Sequence, residues 1–145
     1  MIIKQVSVFV ENKPGKLASV MNTLARNDID ISALSLADTA DFGVLRLILD
    51  QPEKGKQVLT DSGVACKINH MVAVVMDDVP GGAAGAIQLL ADYNISVEYM
   101  YACIGRVSGK ALMVIRVADY KQAEKILAEN HAAVMSPDEI YRMPG

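Results

Sequence analysis

The chain has 145 residues, 52% of them apolar and 21% charged, with a net charge of −3 and an isoelectric point near 5.3. That composition suits packed globular structure and not disorder. It also argues against nucleic acid or an anionic membrane as the main partner, because phosphate recognition needs clustered Lys and Arg, whereas Lys13, Lys16, Arg26, Lys54, Lys56 and Lys67 are scattered. Cys66 and Cys103 lie far apart, with no CxxC and with His70 and His131 isolated from them, so neither a metal site nor a cofactor is expected. No run approaches the ~18 unbroken apolar residues of a membrane span. Met1-Ile2-Ile3-Lys4-Gln5-Val6 leads straight into a strand pattern, which sets the expectation of a cytoplasmic protein without a signal peptide.

In chain order, Val6, Val8 and Val10 alternate with Ser7 and Phe9, the pattern of a strand. Glu11-Asn12-Lys13 turns the chain, and Pro14 suits a first helical position, where its fixed φ and missing N–H cost nothing. Leu17, Val20, Met21 and Leu24 recur at helical spacing, and Asn27-Asp28 stops the helix. A second strand is expected over Ile29–Leu36, a loop over Asp38–Phe42, and a third strand over Val44–Leu49 after Gly43. Pro52 ends that strand, Glu53–Thr60 reads as a short helix closed by Asp61-Ser62-Gly63, and Val64–Ile68 reads as a fourth strand. The second half gives a strand over Met71–Met76, a helix over Gly82–Asp92, and strands over Ile95–Cys103 and Ala111–Val117. A helix over Lys121–Glu129 and a strand over Ala132–Met135 follow. Gly105-Arg106-Val107-Ser108-Gly109 joins two strands and opens no helix, so it reads as a hairpin loop and not a phosphate cradle.

The two halves repeat at one offset of 66 residues. Pro14-Gly15 returns as Pro80-Gly81, Val6 and Val8 as Val72 and Val74, Leu24-Ala25 as Leu90-Ala91, Ile29 as Ile95, and Gly43 as Gly109. One offset holding over glycines and apolar positions together marks two copies of a β-α-β-β-α-β unit. Right-handed crossovers put both helices of such a unit on one face of a four-stranded antiparallel sheet, the ferredoxin-like arrangement. The junction falls near Asn69-His70, dividing the chain into residues 1–69 and 70–145. No Gly/Ser-rich linker separates the halves.

Val10-Glu11-Asn12-Lys13-Pro14-Gly15-Lys16-Leu17 resembles the loop between the first strand and first helix of ACT domains, the small regulatory modules of amino-acid metabolism. Asp77-Asp78-Val79-Pro80-Gly81-Gly82-Ala83 is a second version. Asp28-Ile29-Asp30-Ile31 and Asn94-Ile95-Ser96-Val97 resemble the family's opening of the second strand. The resemblance implies two tandem α+β domains, set side by side as one eight-stranded antiparallel sheet with helices on one face. It implies an effector amino acid held at the seam, between the loop of one unit and the second-strand start of the other. A homodimer and a partner enzyme of amino-acid metabolism are further implications.

Physical chemistry agrees with such a site. A loop entering a helix N-terminus offers unpaired N–H groups and positive dipole charge to a carboxylate. Gly15 and Gly81 have no Cβ to keep a ligand from the backbone, and an Asn amide can serve both ends of an amino acid. Carried over by resemblance, the first site comprises Asn12, Lys13, Pro14, Gly15, Lys16 and Leu17 with Asn94, Ile95 and Ser96. The second comprises Asp78, Val79, Pro80, Gly81, Gly82 and Ala83 with Asp28, Ile29 and Asp30. Its paired acids repel a carboxylate, so it is the weaker. Tyr99 and Tyr101 could line a pocket but fit sheet-face packing better. Asp77-Asp78 is a solvated turn before it is a metal site. No motif supplies an acid–base pair, so the chain reads as a binding protein and not an enzyme. The competing reading is a structural or oligomerisation module, or a regulatory subunit acting through a protein partner without its own ligand.

Overall fold

The computed structural model describes residues 2–38, 41–77, 79–103, 110–130 and 133–134. The elements are β1 (Ile2–Glu11), α1 (Lys16–Arg26), β2 (Ile31–Asp38), β3 (Phe42–Leu49), α2 (Pro52–Asp61) and β4 (Cys66–Asp77), then α3 (Gly82–Asp92), β5 (Tyr99–Cys103), β6 (Lys110–Arg116), α4 (Tyr120–Glu129) and β7 (Ala133–Val134). The chain divides into two compact units, Lys4–Asn69 and His70–Gly145, the latter joined by Met1–Ile3. No helix among the described residues is long and apolar enough to cross a membrane.

In the first unit the strands run in the order β2-β3-β1-β4. Val8 lies opposite Leu45 and Val6 opposite Leu47, while Leu36 and Leu34 flank the same two leucines from β2. Directly opposed residues share a face, so this face is a sheet of Val and Leu. On it α1 places Val20 and Leu24 and α2 places Leu59, all buried with Val6, Val8, Val10, Leu45, Leu47 and Leu49. Removing one such side chain from water stabilises the fold by about 1.5–3 kcal/mol. On the other face of β1, Gln5 and Ser7 are buried but satisfied. Gln5 Nε2 donates to Ser7 Oγ at 3.0 Å, and Ser7 Oγ donates to Asn69 Oδ1 at 2.6 Å. That chain of bonds ties the first residues of β4 to β1.

The second unit repeats the order as β7-β4-β6-β5. Val72 opposes Ile115 and Val74 opposes Met113. Leu90 of α3 and Ala123 and Leu127 of α4 cover this face. The Asp119 side chain caps α4 by accepting the Gln122 N–H at 3.1 Å.

Three expectations from sequence need correction. Among the described residues there are seven strands and not eight, because the strands expected over 64–68 and 71–76 form the single β4. Asn69-His70, which holds neither Gly nor Pro, lies inside that strand. The second strand of each copy also starts later than periodicity suggests, at Ile31 and at Tyr99. The cause is shared: the Ile29 N–H donates to Leu24 O at 3.1 Å and the Ile95 N–H to Leu90 O at 2.9 Å, so each isoleucine closes the preceding helix. Lastly, Pro52 does not merely stop β3; it is the first residue of α2. The hairpin reading of 105–109 lies outside the described residues, as do the two end residues, 132 and 135, of the expected final strand.

Candidate functional site

The loop after β1 is fixed by its own backbone. Asn12 N–H donates to Asp41 O at 3.0 Å, and Lys13 N–H donates to Glu11 O at 2.8 Å. Lys16 N–H reaches back to Lys13 O at 3.3 Å, closing a four-residue turn with Pro14 second and Gly15 third. Gly15 has φ 85° and ψ −13°, which makes this a type II turn. Val79-Pro80-Gly81-Gly82 repeats it: the Gly82 N–H donates to Val79 O at 3.0 Å, and Gly81 has φ 88°. Pro14 is therefore a turn residue and not the first residue of the helix, since the left-handed Gly15 stands between. The glycines also have a different reason from the one expected. A Cβ on Gly15 or Gly81 would meet nothing within 4 Å, so these positions need glycine for positive φ and not for space.

The turn delivers α1 with no side-chain cap and no acid in its first turn. The helix start carries the positive end of its dipole, and of its leading N–H groups that of Lys16 is already taken by Lys13 O. Beside them Val10, Glu11, Asn12, Lys13, Leu17, Leu36 and Gly43 line a cleft of about 210 Å³. Val10, Leu17 and Leu36 give apolar walls. Glu11 and Lys13 form an ion pair of 3.1 Å at its rim. The Lys13 hydrogen bond, aided by the charges of Lys13 and Lys16, holds the Glu11 carboxyl below its ordinary value of 4.5. The carboxylate is thus ionised at neutral pH and available to an ammonium group.

Gly43 makes the room. It pairs with Val10 on one side and Asp38 on the other, and a Cβ there would stand 3.1 Å from Leu36 Cδ1. Sequence reasoning missed Gly43, Leu36, Val10 and Glu11 as lining residues. Val10 and Glu11 were signalled by the loop motif that contains them, and Gly43 by its recurrence as Gly109, which speaks equally for a turn.

Of the other expected site residues, Asn94 (φ 59°) and Asp28 (φ 57°) are the only non-glycine residues with positive φ among the described residues. Each follows the cap of its helix. The Asn94 N–H donates to Ala91 O at 2.9 Å, and the Asp28 N–H to Ala25 O at 3.1 Å. With the Ile95 and Ile29 bonds these are Schellman closures. Ile29 is buried in the first core and Ile95 packs against the second, so the backbone explains both motifs before any ligand does. Asn94, Ile95 and Ser96 line, with Ile87, Ala91 and Val97, a wider cleft of about 430 Å³ in the second unit. The Asp30 N–H is taken by Asp50 Oδ1 at 3.0 Å. Asp78 lies outside the described residues. Val79 is 59% exposed. Gly82 opens α3, with Ala83 next, and is hemmed in: a Cβ there would lie 2.0 Å from Asp77 O. Lys16, its counterpart in the first copy, carries a full side chain.

Tyr99 and Tyr101 oppose Arg116 and Val114, on the sheet face away from the α3–α4 core, and Tyr99 Oη donates to Met71 Sδ at 3.9 Å. No three His, Cys, Asp or Glu side chains converge as metal ligands among the described residues.

The solved structure of protein BT0572 from Bacteroides thetaiotaomicron matches with a TM-score of 0.92 and 34% identity, over 98% of this chain and 97% of that one. The regulatory subunit of aspartate kinase from Thermus thermophilus shares the fold at a TM-score of 0.62 and 14% identity, over 88% of this chain and 92% of that one. The corresponding subunit from Thermus flavus matches at a TM-score of 0.58 and 14% identity, over 89% and 94%. No curated protein matches the chain. The family model described as an ACT domain pair matches residues 1–143. Two βαββαβ units, each with a Pro-Gly turn feeding an uncapped helix, have their explanation there: the chain belongs to the ACT domain pair family.

Proposed function

We propose that this protein is an amino-acid-responsive regulator of amino-acid metabolism, with its effector held at the cleft beside the first turn of α1. The observation that carries the reading is the cleft itself. Leu17 at the start of an uncapped helix, Asn12, the ionised Glu11 and the apolar Val10 and Leu36 line one cleft of one unit. Those are the three chemistries of an amino acid: carboxylate, ammonium and side chain. Support comes also from fold relatives that are regulatory subunits of aspartate kinase.

Asn94 is assigned a part in holding the effector through its family motif, and the Asp28 and Asp78 set remains the weaker site. The protein acts without catalysis of its own, as a cytoplasmic homodimer, through a partner enzyme whose state it changes. Such coupling requires that the effector bind two states of the assembly unequally.

A thermal-shift screen of the whole chain against the twenty amino acids tests this. An effector at 100 times its dissociation constant adds about 2.7 kcal/mol, which moves the midpoint by roughly 5–20 °C for a domain of this size. If no amino acid shifts it, the sensor reading fails. The second reading, an ACT pair that acts through a protein partner without a ligand, then takes its place. One observation already favours that reading for the second copy: Gly82 is packed against the Asp77 carbonyl, so that loop is closed down on its helix.

A further inference from the structure

Which amino acid the cleft accepts can be argued from its walls. The lining divides into a polar rim and an apolar interior. At the rim the exposed Glu11–Lys13 pair serves the effector's own ammonium and carboxylate, and the interior adds no further charge for a charged side chain. The interior is Val10, Leu17, Leu36 and the bare backbone of Gly43. Leu17 and Leu36 keep 37% and 51% of their surface exposed, which is apolar area that a ligand side chain would cover. The volume of about 210 Å³ lies below the ~300–1,000 Å³ of pockets for drug-sized ligands. Gly43 is part of its lining, and a methyl group there would press Leu36.

Resting on the amino-acid reading above, we infer that the effector carries an uncharged aliphatic side chain of the size of valine, leucine, isoleucine or methionine, seated on Val10, Leu17 and Leu36 over Gly43. A lysine or aspartate side chain seated on Val10, Leu17 and Leu36 would bury its charge against apolar walls, at several kcal/mol. An indole, the largest side chain, is the one least suited to a cleft of about 210 Å³.

The experiment is a set of dissociation constants, measured by calorimetry on the whole chain, for L-leucine, L-valine, L-methionine, L-lysine, L-aspartate and L-tryptophan. The aliphatic three are expected to bind at least about tenfold tighter than the rest, one or two methylenes in an apolar pocket being worth about 10–200-fold. Leu36→Ala is expected to weaken leucine about tenfold and to improve tryptophan relative to it. Gly43→Ala is expected to weaken leucine more than valine. Circular dichroism melts of both variants separate lost binding from lost folding. Tightest binding of lysine, aspartate or tryptophan overturns the aliphatic assignment and leaves the sensor reading standing. Aliphatic binding indifferent to both substitutions overturns the assignment to this cleft. Binding of none of the six, with a response in the full screen to an amino acid other than isoleucine, overturns the side-chain class alone; silence across all twenty overturns both.

Discussion

Asp28 and Asn94 take the same left-handed backbone, φ 57° and 59°, one residue beyond the cap of the first helix in each copy. Asn and Asp tolerate that region better than other side chains, though glycine does so at no steric cost. Their identity is thus explained by helix closure, and a role in binding has to be shown separately. Asn94→Gly keeps the backbone, whereas Asn94→Ala strains it by about 1–2 kcal/mol. The expected outcome in urea unfolding is a lower midpoint for the alanine variant and an equal or higher one for the glycine variant. If Asn94 also touches the effector, Asn94→Gly loses affinity with its stability intact; unchanged affinity removes Asn94 from the site.

The turn glycines give a second prediction. Gly15 and Gly81 sit third in type II turns at φ 85° and 88°, with open space where a Cβ would go. Gly15→Ala and Gly81→Ala are each expected to cost about 1–2 kcal/mol through backbone strain alone. Substitution by Asn should recover part of that. A neutral alanine variant in chemical denaturation would contradict the turn assignment.

Much of this architecture was legible in the residues, and the parts that were not have physical reasons. The doubled βαββαβ order follows from apolar periodicity and one fixed offset, because periods of two and 3.6 are visible without coordinates. Pro14 was misplaced because proline fits both a helix start and the second position of a turn, and only the φ of Gly15 separates the two. The single β4 was split because the 66-residue repeat puts a boundary between the copies near Asn69-His70, and a boundary between repeats need not be a break in a strand. The late starts of β2 and β5 were hidden because Ile29 and Ile95 fit a strand pattern while closing helices. In the cleft, Asn12, Lys13 and Leu17 belong to one six-residue run of the chain and were found together. Leu36 and Gly43 come from other strands, and cross-strand register cannot be read from one sequence.

A third prediction concerns pH. The Glu11 carboxyl is held low by the Lys13 hydrogen bond and nearby Lys charges, and the Glu53 carboxyl by its hydrogen bond from Lys4. A carboxyl whose folded pKa lies below its unfolded one contributes stability above the unfolded pKa, lost as pH falls through the folded value. Both side chains are exposed, so each effect is small. Urea midpoints are expected to be insensitive to these groups from pH 7 to about 5 and to fall below 4.5. Glu11→Gln with Glu53→Gln should flatten that acid limb. An acid limb unchanged in the double variant would contradict the assignment. Effector affinity, if Glu11 holds the ammonium, falls over the same acid range.

A fourth prediction tests the core that carries the loop. Leu24 is fully buried between α1 and the Val–Leu sheet face and also accepts, through its carbonyl, the closing bond from Ile29. Leu24→Ala is expected to cost about 2–5 kcal/mol, a large share of a typical 5–15 kcal/mol total. Asp119→Ala, which removes only the cap of α4, should cost about 1 kcal/mol. Calorimetric melts that rank the two the other way would contradict the packing described.

The most direct test of the central claim is location. Amide chemical shifts of the labelled whole chain, followed while the amino acid selected by the thermal screen is added, report where it binds. The account predicts saturable shifts at Asn12, Lys13, Gly15, Leu17 and Gly43, the turn and floor of the cleft beside α1. Shifts confined to other parts of the chain, or none at saturating concentration, would contradict it.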